Sequence, residues 1–181
     1  MTIEYDVIII GAGAAGMMSA IEAGKRGRKV LLVDHYKKIG EKIRISGGGR
    51  CNFTNIHTNP NKFLSENPKF VRSALSQYTQ NDFINLINKY EIKFHEKKLG
   101  QLFCDHSAQQ IVEMLLKECE LANVTILKEF IIKDVNKEHD QYLVYTEIDK
   151  YSSKSLVVAT GGLSVPKIGA TSFGYEIAKK F

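Results

Sequence analysis

Three glycines near the start of the chain have a spacing that suits dinucleotide binding. Gly11, Gly13 and Gly16 follow the pattern G-x-G-x-x-G, with Ala14 and Ala15 before the last glycine. In such a turn the first glycine permits the tight bend, the second lets the backbone approach a pyrophosphate, and the third lets a helix pack closely on a strand. The N–H groups at the start of that helix then face the phosphates. These five residues are predicted to bind a pyrophosphate, the alternative being a glycine turn without a ligand.

An acidic residue follows at the distance that this pattern requires. Asp34 closes the apolar run at residues 30–33. A carboxylate at this point can accept hydrogen bonds from both hydroxyls of an adenosine ribose. The same negative charge disfavours a 2′-phosphate, so we expect the site to exclude NADP.

A second glycine-rich segment combines bare backbone with two cations. It starts at Lys42 and continues through seven residues that could contact a ligand: Ser46, Gly47, Gly48, Gly49, Arg50, Cys51 and Asn52. Successive glycine N–H groups can bind phosphate, ribityl hydroxyls or the edge of a flavin, and Lys42 or Arg50 can neutralise phosphate charge. The alternative is a flexible surface loop. We interpret Cys51 as a packed small residue, since no second cysteine is near it in the sequence.

The third motif lies at the end of a predicted strand. Thr160, Gly161 and Gly162 follow the apolar residues 155–159, which would bring backbone close to a ligand. The five histidines are scattered without metal-ligand spacing, so no metal site is predicted. No residue of the sequence is a convincing catalytic acid, base or nucleophile.

Local patterns predict the elements that position these motifs. Residues 5–10 read as a buried strand, a helix follows the glycine turn, and residues 30–33 form the next strand. Residues 35–56 are predicted to be a long loop. A helix capped by Thr79, a hairpin within residues 92–103 and a helix opened by a capping box at Ser107 come next. Further strands are predicted at 124–127, 130–135, 142–146 and 155–159.

Composition sets limits on the partners. The chain has 181 residues, 44% apolar and 25% charged, with 25 Lys and Arg against 20 Asp and Glu. This is typical of a globular domain. Basic residues occur in short pairs without a stripe of interleaved aromatics, so we predict a small-molecule substrate and no nucleic acid partner. There is no signal-peptide pattern and no apolar stretch that could span a membrane, which predicts a cytoplasmic protein without membrane contact.

The three motifs together resemble the flavoproteins that contain two dinucleotide-binding domains. Residues 42–55 look like a signature of the YhiN/HI0933-like (BaiN-like) FAD-dependent oxidoreductases, and residues 161–175 are similar to a second signature of that family. The resemblance implies FAD as cofactor, with its pyrophosphate on the first motif and its ribose on Asp34. It also implies that Ile132 contacts the adenine through its main chain and that Thr160 lies near the cofactor.

The same resemblance implies a fold and a domain organisation. We expect an α/β, Rossmann-like FAD/NAD(P)-binding domain with a parallel sheet, an antiparallel meander from about 130 to 147 that covers it, and a small helical insertion at about 56–100. Family members are about twice as long, so residues 1–181 are expected to be a truncated N-terminal portion without the substrate domain. Residues 100–104 depart from the family's Gly-Arg-x-Phe-Pro segment.

The predicted activity is hydride transfer through the flavin to an unknown small-molecule substrate, with NAD(P)H as a possible transient reductant. One alternative is a catalytically incompetent fragment that binds FAD or ADP. Another is a flavin-dependent tRNA-modifying enzyme, which would require a basic face and cysteine chemistry. A simple NAD-linked dehydrogenase is disfavoured by the glycine-rich segment that follows Asp34.

Overall fold

A computed structural model describes residues 2–181, with Lys167 described by its backbone alone. Within these residues the helices are α1 (Ala14–Lys25), α2 (Glu41–Ile45), α3 (Arg72–Gln77), α4 (Gln80–Lys89), α5 (Gln109–Leu121) and α6 (Phe173–Lys180). The strands are β1 (Thr2–Ile10), β2 (Val30–Val33), β3 (Asn52–Asn55), β4 (Phe94–Glu96), β5 (Gln101–Cys104), β6 (Thr125–Leu127), β7 (Asp134–Glu138), β8 (Gln141–Tyr145) and β9 (Lys150–Val158). Short 3₁₀ helices span Ser46–Gly49, Pro60–Lys62 and Pro166–Ile168.

The chain divides into two compact units. The first unit comprises Met1–Lys42 and Val112–Phe181, and the second unit is Ile43–Ile111. The first contains a six-stranded sheet in the order β6-β2-β1-β9-β8-β7. Its strands β6, β2, β1 and β9 are parallel, whereas β8 and β7 are antiparallel. The predicted α/β class with a parallel sheet is therefore confirmed.

The antiparallel meander is present, but its predicted position over the sheet is wrong. Strand β8 pairs with β9 in the register Leu143↔Ser152, so the meander extends the same sheet at its edge. The predicted strand at residues 130–135 is also wrong, because β7 begins at Asp134. Phe130 instead donates its N–H to the carbonyl oxygen of Asp34 over 3.0 Å, which holds the preceding segment beside β2.

Apolar strands and close helix packing stabilise the first unit. Every residue of β2 is buried, as expected for a strand with both faces covered. Helix α1 approaches the end of α5 closely, since a Cβ on Gly24 would lie 2.3 Å from the carbonyl oxygen of Ala122. Lys25 pairs with the buried Glu118 over 2.9 Å at the same contact. Gly24 therefore permits a packing distance that any side chain would prevent.

The second unit contains a three-stranded antiparallel sheet in the order β3-β5-β4. Helix α4 begins with the predicted cap, in which the side chains of Thr79 and Asp82 form a reciprocal capping box. The predicted long loop over residues 35–56 is wrong, because α2, a 3₁₀ helix and β3 occupy most of it. The capping box predicted at Ser107 is also not formed. Ser107 accepts from the N–H of Gln109, while the side-chain oxygen of Gln110 is buried without a hydrogen bond.

No helix among residues 2–181 is both long and apolar enough to cross a membrane.

Candidate functional site

The turn after β1 is built so tightly that only glycine fits at two of its positions. Gly11 has φ +104°, and a Cβ there would lie 2.5 Å from the carbonyl oxygen of Ala159. A Cβ on Gly16 would lie 1.8 Å from the carbonyl oxygen of Gly11. The first and third glycines of the motif therefore let α1 and the end of β9 contact this turn directly.

The middle glycine has the opposite surroundings. A Cβ on Gly13 would meet no atom within 4 Å, and this residue is the N-cap of α1 without any side-chain cap. Ala14 and Ala15, which follow it, are exposed, and the first turn of the helix contains no acidic residue. The start of this 12-residue helix thus has open space and uncapped N–H groups, the combination that binds phosphate groups.

Two backbone N–H groups hold the carboxylate of Asp34 in place. Its Oδ2 accepts from the N–H of Ala12 over 2.7 Å, and its Oδ1 accepts from the N–H of Tyr36 over 2.8 Å. The side chain is 15% exposed, and His35 Nδ1 lies 3.6 Å from Oδ1. Each carboxylate oxygen has a second lone pair, so both can also accept from a ligand hydroxyl.

A cavity of about 360 Å³ lies beside Asp34 in the first unit. Its volume is within the range of small-molecule sites. It is lined by Ile10, Gly11, Val33, Asp34, His35, Phe130, Ile131, Ile132, Thr160, Gly169, Thr171, Ser172, Phe173 and Glu176. The carboxyl ends of β1 and β2 contribute to it, which is where ligands bind in open parallel sheets. Ile132 is part of this lining, although it precedes β7 and does not lie in a strand.

The third motif, at Thr160, Gly161 and Gly162, lies next to the glycine turn after β1. The N–H of Ala159 donates to the carbonyl oxygen of Ile10 over 2.8 Å, which joins the ends of β9 and β1. Gly161 has φ +73° and turns the chain away from β9. Lys42 Nζ donates to the carbonyl oxygen of Gly162 over 2.7 Å. The ammonium group predicted to neutralise phosphate therefore lies at this glycine turn.

Helix α6 contributes residues that sequence reasoning missed. Glu176 and Ser172 line the cavity and hydrogen bond to each other through their side chains. Gly174 packs so closely that its Cβ would lie 2.2 Å from Thr160 Oγ1. Phe130, also missed, lines the cavity and packs edge-on against Tyr151 at 5.1 Å between ring centroids. Ser172 and Gly174 fall within the signature at residues 161–175, but no local pattern predicts that any of these residues lines a cavity beside Asp34, because the fold brings them there from distant parts of the chain.

Apart from Lys42, the second glycine-rich segment belongs to the second unit. Gly47 and Gly48 adopt left-handed conformations, with φ of 59° and 68°, inside the 3₁₀ helix. A Cβ on Gly47 would lie 2.7 Å from the Phe103 ring, whereas one on Gly48 would meet nothing within 4 Å. The carbonyl oxygen of Gly49 accepts from the N–H of Ala108 over 2.7 Å. The segment is thus a fixed turn with one open glycine.

Its remaining residues are anchored to the neighbouring strand. Ser46 Oγ donates to the carbonyl oxygen of Ile43 over 2.8 Å. The carbonyl oxygen of Arg50 accepts from the N–H of Cys104 over 2.9 Å. Asn52 begins β3 and is paired with Phe103 of β5. These hydrogen bonds involve backbone and hydroxyl groups. Arg50 is an exposed residue.

A second cysteine does lie near Cys51 in the fold. Burial raises the pKa of the Cys51 thiol, with a smaller opposing effect from its hydrogen bond with Ser46. Burial, with a smaller contribution from nearby Cys51, raises the pKa of the Cys104 thiol to about 11. Both thiols are free and buried. They are therefore protonated at neutral pH, which disfavours a nucleophilic or redox role and agrees with the interpretation of Cys51 as a packing residue.

One pair of side chains in the second unit could transfer a proton. His95 Nδ1 lies 2.7 Å from Asp105 Oδ1, and its ring stacks against Phe103 at 6.4 Å between centroids. A histidine bonded to a carboxylate is a common acid–base arrangement. Across residues 2–181, no group of three or more His, Cys, Asp or Glu side chains could hold a metal ion.

The chain is similar to curated proteins along nearly its whole length. It is 54% identical over 178 residues to the ribosomal RNA dihydrouridine synthase of Escherichia coli, covering 98% of this chain and 44% of that protein. It is 50% identical to the protein of the same name from Haemophilus influenzae, covering 96% and 44%. The chain therefore spans less than half the length of these relatives.

The fold is also found among solved structures. The 3-ketosteroid-Δ4-(5α)-dehydrogenase of Rhodococcus jostii aligns with a TM-score of 0.62 at 13% identity, covering 89% of this chain and 46% of that one. The TM-score shows a shared fold, and at this sequence identity the likeness extends to the fold alone.

These similarities correct one prediction and confirm another. The exclusion of nucleic acid as a partner is wrong, because both curated relatives are named for action on ribosomal RNA. They also favour the alternative of a flavin-dependent tRNA-modifying enzyme over the small-molecule oxidoreductase, although the RNA in their names is ribosomal. The predicted family is confirmed, since the model of the HI0933-like protein Rossmann domain matches residues 5–181. The chain belongs to the HI0933-like Rossmann domain family.

Proposed function

We propose that this chain is the FAD-binding part of a flavoprotein oxidoreductase that reduces uridine to dihydrouridine in RNA. The observation that carries the proposal is the 54% identity to a ribosomal RNA dihydrouridine synthase over 98% of the chain. Because the chain covers 44% of that relative, the complete reaction is assigned to the whole protein and the cofactor site to this chain.

The turn around Gly13 fits the pyrophosphate of FAD. Close packing at Gly11 and Gly16 brings the start of α1 against the ends of β1 and β9, and Gly13 leaves the approach free of side-chain atoms. Uncapped N–H groups of Ala14 and Ala15 would then donate to phosphate oxygens, with the helix dipole favouring the negative charge.

The cavity beside Asp34 fits the adenosine. The carboxylate is already oriented by two backbone N–H groups, so little ordering is needed before it accepts from the ribose hydroxyls. Ile132 and Phe130 supply apolar lining for the adenine. The turn at Thr160, Gly161 and Gly162 lies at the adjoining strand end, with Lys42 bonded to it.

We also assign a run of the second unit to FAD binding, through its backbone and through the charge of Arg50. The run comprises Ser46–Gly49, Arg50, Cys51 and Asn52. The open side of Gly48 supports this assignment, since it exposes a left-handed glycine without a neighbouring atom within 4 Å. Left-handed backbone of this kind forms anion-binding concavities.

The reaction adds one hydride and one proton across the C5–C6 double bond of uracil. When bound, FAD supplies the hydride chemistry, while the protein supplies binding and orientation. Two electrons must come from a reduced cosubstrate. We assign this role to a nicotinamide that binds transiently or in the part of the whole protein that this chain does not span, since the single G-x-G-x-x-G of this sequence is assigned to FAD.

Cofactor binding is tested on the purified chain by its absorption spectrum after FAD is added and excess FAD removed. We expect bands near about 370 and 450 nm, characteristic of flavin. A chain that stays colourless would refute the cofactor assignment.

The RNA reaction is tested by nucleoside mass spectrometry of ribosomal RNA from cells that lack the gene for this protein. We expect the loss of a dihydrouridine, restored by the wild-type gene and restored poorly by the D34A gene. Unchanged dihydrouridine in the deletion strain would refute the proposed substrate, whatever the result of the FAD test.

A further inference from the structure

The positive charge of the chain is concentrated in the second unit. Ile43–Ile111 contains nine Lys and Arg against five Asp and Glu, whereas the rest of the chain contains 16 against 15. Counted over the whole chain, this surplus looks evenly spread. A local surplus of cations attracts a polyanion by long-range electrostatics.

Part of this charge lies in a short sequence motif that occurs twice. Residues 59–63 read Asn-Pro-Asn-Lys-Phe, and residues 67–70 read Asn-Pro-Lys-Phe. Each motif thus places a lysine directly before a phenylalanine, one or two residues after the proline of an Asn-Pro pair. We call residues 59–72 the Asn-Pro segment.

Both motifs fold in the same way. The side-chain oxygen of Asn59 accepts from the N–H of Asn61 over 3.0 Å, and that of Asn67 accepts from the N–H of Lys69 over 3.1 Å. These are Asx turns, which fix the backbone locally without tertiary packing. The carbonyl oxygen of each asparagine also accepts from the backbone three residues on, from the N–H of Lys62 at Asn59 and from the N–H of Phe70 at Asn67. The N–H of Phe63 donates to the carbonyl oxygen of Pro60. The Asn-Pro segment therefore presents each Lys-Phe pair on a defined turn.

The side chains of the segment are open to solvent in this chain. Residues 61–70 are all exposed, including Phe63 at 42%, Leu64 at 96% and Phe70 at 77%. Lys62, Lys69 and the exposed Arg72 accompany them, with Glu66 as the sole acid of the segment. Exposed aromatic rings next to cations suit a ligand that has both flat apolar faces and negative charge.

Unpaired RNA has these two properties. Its bases stack on aromatic side chains, and its phosphates attract lysine and arginine. We propose that the Asn-Pro segment binds unpaired nucleotides of the RNA substrate, with Phe63 and Phe70 stacking on bases and Lys62, Lys69 and Arg72 contacting phosphates. This inference rests on the proposed function for the identity of the partner. Uridine in a paired helix presents no free face, so a site for unpaired nucleotides suits a base-modifying protein.

The test measures fluorescence anisotropy of a labelled single-stranded oligouridylate of about 12 nucleotides with the 181-residue chain. The F63A and F70A variants should each weaken binding at least roughly fivefold, the lower end of base–aromatic stacking. The K62Q/K69Q/R72Q variant should reduce the slope of log affinity against log salt by about 2, since each phosphate contact contributes about 0.7 for single strands. A duplex of the same length should bind more weakly.

Matched controls come from the first unit. The K128Q/K137Q/K154Q variant removes three exposed lysines, and I148A removes a side chain that is 88% exposed. Both should bind the oligonucleotide like the wild type. Melting temperatures show whether F63A and F70A remain folded, and the glutamine triple variant tests the same segment without altering apolar packing.

Several outcomes would overturn the inference. They are a wild-type chain that does not bind single-stranded RNA, an affinity unchanged in both phenylalanine variants, or equal losses in the control variants. A large fall in melting temperature on replacing Phe70, with an unchanged salt slope in the glutamine variant, would show a packing role instead. The proposed function fails separately, through the dihydrouridine measurement in the deletion strain.

Discussion

Replacing Asp34 by alanine should weaken FAD binding and destabilise the fold, by amounts that can be estimated separately. A charged acceptor of a ribose hydroxyl contributes about 1.5–3 kcal/mol. Its removal should therefore raise the dissociation constant of FAD by about 10- to 150-fold. The carboxylate also accepts from the N–H of Ala12, a residue with 0% exposure. Leaving that buried N–H unbonded should cost about 1–3 kcal/mol of unfolding free energy.

The assay is a titration of the purified variant with FAD, followed by fluorescence, together with urea unfolding of the chain without FAD. Asp6 provides a matched control, because its carboxylate accepts from the backbone N–H of Lys29 over 2.8 Å but does not line the cavity. The D6A variant should lose some stability and keep its FAD affinity. If D34A lost stability but bound FAD as tightly as D6A, Asp34 would be a structural clamp for the turn and its assignment to the ribose would be refuted.

Three further results are expected. G13A should fold normally but lose FAD affinity, because its Cβ meets open space, whereas G16A should unfold at lower urea because its Cβ would lie 1.8 Å from the carbonyl oxygen of Gly11; equal stabilities would contradict this. G174A should displace Thr160, whose Oγ1 would lie 2.2 Å from the new Cβ, and lower FAD affinity in the same titration. Burial raises the pKa of the Cys119 thiol from 9.0 to about 11, so the folded chain retains a proton that the unfolded chain loses. The unfolding free energy should therefore fall as pH rises from about 9 to about 11, and less so in C119A; an identical pH dependence would refute the assignment.

The elements that local patterns determine were predictable from the sequence. The apolar run of β2, the glycine spacing before α1 and the cap at Thr79 each depend on residues close in the chain. The region after Asp34 was not predictable in this way. Residues 35–56 are expected from the sequence to be a long loop, but the left-handed conformations of Gly47 and Gly48 form a fixed 3₁₀ turn, and Phe103 packs against Gly47.

The candidate site was predictable in part, for the same reason. Gly11, Gly13, Gly16 and Asp34 belong to one local unit, and their spacing already indicates a phosphate and ribose site. Glu176 joins the lining of the cavity only through the fold of α6, so no spacing marks it.

The error about nucleic acid had a different cause. A whole-chain surplus of five positive charges suggested no basic surface. Most of that surplus lies in Ile43–Ile111, a boundary that only the structure reveals. No pattern in the sequence indicates that Phe63 and Phe70 are exposed, and only the structure shows it.

The contact between Gly11 and Ala159 determines when the glycine turn after β1 can reach its final packing. These residues are separated by most of the chain, so the glycine turn after β1 can contact the end of β9 only after β9 has been synthesised. Closing such a long loop costs conformational entropy before any of its contacts form, which places this step late in folding. Until then, β1 can pair only with β2, and its other edge is unpaired. FAD can then be expected to load onto a folded chain rather than to guide its folding, and chains halted before residue 159 should expose an unpaired edge that favours aggregation.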